Sequence, residues 1–128
     1  MLDTNTVRYI MRRHPVVSKV ALSKPLDSLH ISCITEGELL FGLALQPQAR
    51  YLDLQLQEFL KRVEILPWDR QTAAIYAQVR AGLHRAGKRL APLDTLIAAH
   101  ALGVAAVLVT SDKAFRHIPG LQIEDWAA

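Results

Sequence analysis

Asp3, Glu38, Asp94 and Asp112 are the residues of this chain best suited to chemistry. Each sits where an apolar strand that the sequence predicts gives way to a helix, or just inside that helix. Taken singly, such a carboxylate is an ordinary cap or a complement to the helix dipole. Asp3 or Asn5 can cap the first helix. Thr35-Glu36-Gly37-Glu38 has the spacing of a capping box. Asp94 falls in the first turn after Pro92, and Asp112 can cap a short C-terminal helix. Together they suggest a convergent acidic pocket. Four neighbouring carboxylates repel and raise one another's pKa values, and burial without partners costs more. A divalent cation relieves both. All-oxygen ligation suits Mg²⁺ or Mn²⁺ better than Zn²⁺, which more often recruits His or Cys.

Other chemistries lack their residues. The five histidines, His14, His30, His84, His100 and His117, have no metal-ligand spacing. The six glycines are scattered and form no phosphate cradle. No Gly-x-Ser-x-Gly elbow is present. Cys33 is alone in an apolar run, which reads as a small core residue and excludes an internal disulfide.

The elements that would carry the carboxylates alternate between strand and helix. A very short strand, 1–3, leads to a helix near 6–13. Pro15 opens a second helix, which ends before Pro25. Residues 29–33 are apolar and include β-branched Ile31, so they read as a strand. Residues 35–45 and 50–62 read as helices, the second with Leu52, Leu56, Phe59, Leu60 and Val63 at helical spacing. A strand at 63–66 precedes Asp69, an N-cap for a helix through Arg85 that Gly87 ends. Pro92 opens a helix that runs to Gly103. Residues 106–110 form a buried strand, 112–117 a helical turn, and 121–124 an edge strand. This alternation predicts one α/β domain over residues 1–128, a mainly parallel sheet with helices on both faces. Ligand sites in such sheets lie beyond the strand carboxyl ends.

At 128 residues with 51% hydrophobic and 21% charged composition, the chain has enough apolar material for one core and is not a disordered segment. The apolar runs 39–45 and 96–109 are too short to span a membrane, and the N-terminus has no signal-peptide pattern. A soluble, cytoplasmic protein is expected. The net charge is +3, concentrated by Arg80, His84, Arg85, Lys88 and Arg89 just before Asp94. Such a cluster suits a polyanion, or is simply a solvated face. Leu39, Leu40, Phe41, Leu43 and Leu45 exceed one core-facing stripe, so part of this surface is expected to meet another chain.

With these residues assembled, the chain resembles the PIN-domain family and, within it, the VapC-type toxins of toxin–antitoxin pairs. The likeness runs through Leu2-Asp3-Thr4-Asn5; Ile31-Ser32-Cys33-Ile34-Thr35 through Glu38-Leu39; Tyr76-Ala77 through Leu83 with Leu93-Asp94 through Ala101; and Leu108-Val109-Thr110-Ser111-Asp112 through Leu121. Four blocks in order are far more specific than any one.

The resemblance implies a three-layer α/β/α sandwich and a Mg²⁺-dependent endoribonuclease, with Mn²⁺ able to substitute. Asp3, Glu38, Asp94 and Asp112 fall on the family's acidic quartet, and Asn5 and Thr110 on polar positions that support it. It further implies an RNA substrate, with tRNA a common one, a VapB-like antitoxin partner and a homodimer. Ala114 stands where relatives often carry another acid, and Ala91 where glycine is common. Arg80, Arg85, Lys88 and Arg89 are the candidates for contacting RNA phosphates. Two rival readings are a non-catalytic scaffold that binds RNA or protein, and a haloacid-dehalogenase-like phosphatase with Asp3 of Asp3-Thr4-Asn5-Thr6-Val7 as nucleophile.

Overall fold

A computed structural model describes residues 1–128, with every side chain but that of Leu26. Among these residues the chain forms six α-helices and four short strands. They are α1 (Thr4–Met11), α2 (Pro15–Ser23), β1 (His30–Ser32), α3 (Cys33–Ala44), α4 (Arg50–Arg62), β2 (Glu64–Leu66), α5 (Arg70–Arg85), α6 (Pro92–Gly103), β3 (Leu108–Val109) and β4 (Ile123–Glu124). Two 3-10 turns, Leu26–Ser28 and Lys113–His117, complete the path.

The strands form two parallel pairs, β1 with β2 and β3 with β4. Residues 1–3 sit between the pairs. Leu2 N–H donates to the His30 carbonyl (3.0 Å), and Asp3 N–H donates to Val109 (3.1 Å). Val109 N–H donates back to Met1 (2.8 Å). The expected first strand is thus a seam only one bridge long, Leu2 against Val109, and it unites the sheet in the order β2, β1, residues 1–3, β3, β4.

Period-two alternation divides the sheet's side chains between two cores. Met1 and Leu108 join Leu83, Ile97, Ala98, Ala101, Phe115 and Ile118 under α5 and α6. Leu2, Ile31 and Val109 join Val7, Val17, Leu39, Leu56 and Trp126 under α1–α4. The result is the three-layer α/β/α arrangement.

Most helix ends follow the sequence signals. Pro15 and Pro92 open α2 and α6. Asp69 caps α5 by accepting from Thr72 N–H at 2.9 Å. Gly87, at φ +65°, closes α5. Its N–H donates to His84 and the N–H of Lys88 to Leu83 (3.1 and 2.9 Å), a Schellman arrangement that needs the left-handed backbone glycine adopts freely.

One expected cap is wrong. Thr35 and Glu38 form no capping box, because α3 begins at Cys33 and its N-cap is Ser32, whose hydroxyl accepts from Ile34 N–H at 3.1 Å. The strand ends earlier than its apolar run, so Thr35 is inside the helix and buried. Similarly α1 starts at Thr4, not Thr6, and Cys33 is partly rather than fully buried. None of the described helices is long and apolar enough to cross a membrane.

Candidate active site

Three of the four carboxylates are fixed by short hydrogen bonds. Asp3 ends the central seam and caps α1, with Oδ1 accepting from Thr6 N–H at 2.8 Å. Its side chain is buried, and Thr6 is anchored in turn by donating its hydroxyl to the Val109 carbonyl at 3.0 Å. Glu38, on the second turn of α3, accepts at Oε1 from the Thr4 hydroxyl at 2.7 Å. Asp112 caps the last 3-10 turn by accepting from Ala114 N–H at 2.9 Å. Behind it, buried Thr110 accepts at Oγ1 from Asp112 N–H at 3.1 Å, which sets the turn out of β3. Each of these carboxylates therefore retains one oxygen without a local donor.

Asp94 differs from the other three. It lies in the first turn of α6, and the element before that helix is α5, not a strand. Ile97, Ala98 and Ala101 seat α6 against Met1 and Leu108 of the sheet. Burial first, then the charges of Glu38, Asp112 and Asp3, push the Asp94 pKa up to about 6, with no donor to offset them. The charges of all three thus reach Asp94, which lies within electrostatic range of each.

The grouping is loose. Among the described residues, no three His, Cys, Asp or Glu side chains are near enough to clasp an ion directly. The donors are nevertheless all carboxylate oxygens, three of them pre-oriented, around a carboxylate whose ionisation is disfavoured. That set fits a hard divalent ion which keeps much of its hydration and takes few protein ligands.

Other candidates are placed less centrally. Asn5 is exposed, and its Oδ1 accepts from Arg8 at 3.2 Å. Arg80, Arg85, Lys88 and Arg89 are exposed at and beyond the C-terminal half of α5. Arg80 lies over the Tyr76 ring and donates to its hydroxyl at 2.7 Å. Tyr76 meets Trp68 edge-on, and Trp68 donates to the Leu96 carbonyl of α6 at 3.0 Å. This ladder links the basic face to the helix of Asp94, and the sequence alone does not reveal it. Thr4 was missed as well, because its partners, Thr35 and Glu38, are more than thirty residues away.

A groove of about 970 Å³ runs between α1, α2 and α4. Ile10, Met11, Leu22, Leu54 and Phe59 line it, together with the cations Arg13, Lys24 and Arg62 and one carboxylate, Glu58. Leu22 and Leu54 are 87% and 65% exposed. On α3 and at its C-cap, Leu40, Phe41 and Leu45 are exposed as well.

Comparison with known proteins gives consistent results. Residues 1–121 match the PIN domain. The chain is 37% identical over 129 residues to the tRNA(fMet)-specific endonuclease VapC of Salmonella typhimurium, covering 98% of this chain and 96% of that protein. It is 33% identical, with the same coverage, to ribonuclease VapC2 of Rickettsia felis. Its fold superposes on VapBC2 from Rickettsia felis bound to a promoter DNA fragment with a TM-score of 0.90 and 32% identity, covering 98% and 97% of the two chains. For DNA-bound VapBC from Salmonella typhimurium the TM-score is 0.86, with 35% identity and coverage of 98% and 96%. The likeness of Asp3–Val7 to a phosphatase signature is confined to five residues.

Proposed function

The chain belongs to the PIN-domain family, among its VapC-type toxin ribonucleases, and from that membership we propose that Asp3, Glu38, Asp94 and Asp112 form the centre at which it hydrolyses RNA phosphodiester bonds. The observation that carries this reading is the coupling of half-buried Asp94 to the other three carboxylates. Residues 1–128 act as one PIN-like domain.

VapC-type PIN ribonucleases use divalent ions, and the hard, all-oxygen donor set favours Mg²⁺, with Mn²⁺ as substitute. Asp3 and Asp94 would be its main ligands, with Glu38 and Asp112 completing the pocket. When bound, such an ion polarises the scissile phosphate and acidifies a water.

The chain's own residues supply the rest. Thr6 N–H holds Asp3 with its other oxygen directed away from the cap. Thr4 holds Glu38, and Thr110 with Ala114 N–H holds Asp112 at the exposed mouth. Arg80, Arg85, Lys88 and Arg89 offset the repulsion between an acidic pocket and a polyanion by engaging backbone phosphates. Asn5 supports the pocket rim from the first turn of α1. With only 6% aromatic residues the chain has no extended stacking platform, so recognition by shape and backbone suits a folded RNA such as tRNA.

The apolar groove between α1, α2 and α4, lined also by three cations and one carboxylate, suits a helix of a VapB-like antitoxin with acidic flanks. The exposed apolar face of α3 suits a homodimer contact. Action would then be cytoplasmic, where RNA and antitoxin are both present.

The test is to sequence RNA ends after brief expression of the wild type and of Asp94→Asn. Discrete new ends with the wild type only are expected. The same ends from Asp94→Asn would refute the assignment of the site.

A further inference from the structure

We propose that Thr4 is a positioning residue for RNA cleavage, the middle member of a hydroxyl relay from Thr35 through Thr4 to Glu38; this rests on the ribonuclease reading above. Thr4 Oγ1 lies 2.7 Å from Glu38 Oε1 and 3.3 Å from Thr35 Oγ1. A threonine hydroxyl has one proton to give, and an ionised carboxylate has none. The Thr4 proton therefore goes to Glu38, and the longer contact runs the other way, with the Thr35 hydroxyl donating to Thr4. Both threonines are buried, at 5% and 0% exposure. The Thr4–Thr35 contact is buried away from water, and the Thr4–Glu38 contact is partly buried.

The geometry gives this relay a job beyond cohesion. Glu38 is the quartet member on the longest side chain, with the most rotatable bonds to restrain. Its backbone is on α3, whereas the hydroxyl that grips it is on α1, next to Asp3 in the chain. Fixing Oε1 on Thr4 sets Glu38 relative to Asp3 and leaves Oε2 for the pocket. Thr35, one helical turn before Glu38, prevents the Thr4 hydroxyl from rotating away. Neither threonine touches the reacting phosphate in this arrangement; both act through Glu38.

The experiment compares Thr4→Val, Thr4→Ser and Asp94→Asn with the wild type on bulk bacterial tRNA, in Mg²⁺, with Mn²⁺ binding followed by calorimetry. Thr4→Val keeps the shape and removes the hydroxyl, while Thr4→Ser keeps the hydroxyl. Thr4→Val should lower kcat by roughly 10- to 100-fold, the usual cost of losing a partner that orients a ligand, at unchanged KM, and should weaken Mn²⁺ binding. Thr4→Ser should restore both to near wild-type values. A Thr4→Val protein with lowered Tm but wild-type kcat would reduce Thr4 to a structural tie and overturn the proposal. So would equal losses in Thr4→Val and Thr4→Ser. If Thr4→Val does not fold, Thr35→Val decides: a several-fold fall in kcat supports the relay, and wild-type kcat overturns it. Cleavage by Asp94→Asn at the wild-type rate would overturn the ribonuclease centre and the relay together. Inactive Asp94→Asn beside fully active Thr4→Val overturns the relay alone.

Discussion

His100 Nδ1 and Ser32 Oγ lie 2.7 Å apart in the interior, joining α6 to the residue that caps α3. The direction of this hydrogen bond follows the tautomer of the ring. The Pro67 backbone also lies close enough to the ring to favour its protonated form. Ser32 meanwhile accepts from Ile34 N–H. The helices carrying Asp94 and Glu38 are thereby held in mutual register.

Replacing His100 with Ala should cost about 3 kcal/mol of stability, through a cavity and a buried hydroxyl left without its partner. Denaturant unfolding measures it. A loss below about 1 kcal/mol would mean that the histidine merely fills space.

The same residue makes stability pH-dependent. Burial holds the His100 imidazole below its ordinary range. A group with a lowered folded pKa binds its proton more readily when unfolded, so stability falls as pH drops below about 6.5. His30 is lowered as well, again chiefly by burial. Titrating stability from pH 7.5 to 5 in the wild type and in His100→Gln isolates the share of His100. The gap between the two proteins should narrow on acidification.

Asp94 acts in the opposite sense. Its pKa is raised to about 6, so its ionised form opposes folding above that pH, and stability is regained as pH falls from about 6 toward 4. Asp94→Asn should therefore raise the metal-free Tm at pH 7, by roughly 2–6 °C, while abolishing RNA cleavage. Scanning calorimetry at pH 7 and pH 4.5 tests this, with a smaller gain at the lower value. Added Mg²⁺ should raise the wild-type Tm and leave Asp94→Asn nearly unmoved.

The basic face has its own measurement. Arg80→Ala and Lys88→Ala, each in an Asp94→Asn background to prevent cleavage, should reduce the salt dependence of tRNA binding. Each lost phosphate contact should lower the slope of log K against log salt by roughly 0.7–0.9. An unchanged slope would return these cations to the status of a solvated helix face.

Leu54→Glu and Leu22→Glu probe the groove between α1, α2 and α4. Both are exposed apolar residues lining it, so a carboxylate at either should weaken antitoxin binding at least about tenfold and leave tRNA cleavage intact. Titration calorimetry and a cleavage assay separate the two effects.

Much of this architecture is legible in the residues because local signals and tertiary demands agree. Pro92, Asp69 and Gly87 mark helix ends by backbone chemistry that needs no distant partner. The acidic quartet is legible as a set of types and spacings. What the residues conceal is pairing. Thr35 has every local qualification for a cap, yet α3 starts two residues earlier because Ser32 accepts from Ile34 N–H. Thr4 reads as an ordinary helix-start residue until α1 and α3 are laid together. Asp94 follows α5 and no strand, so no local rule relates it to the other three, although their charges raise its pKa. His100, unremarkable by spacing, is the interior link between two of the carboxylate-bearing helices.

The seam at residues 1–3 has a consequence for how activity arises during synthesis. Asp3 is oriented by backbone bonding to Val109, and Asp112 follows from the same strand. These contacts span more than a hundred residues, the kind of non-local closure that folds late. A chain truncated before Val109 lacks the strand that orients Asp3, and it lacks Asp112 altogether. The proposed centre therefore cannot assemble until residues 109–112 have been made, and a chain that stops before them lacks it.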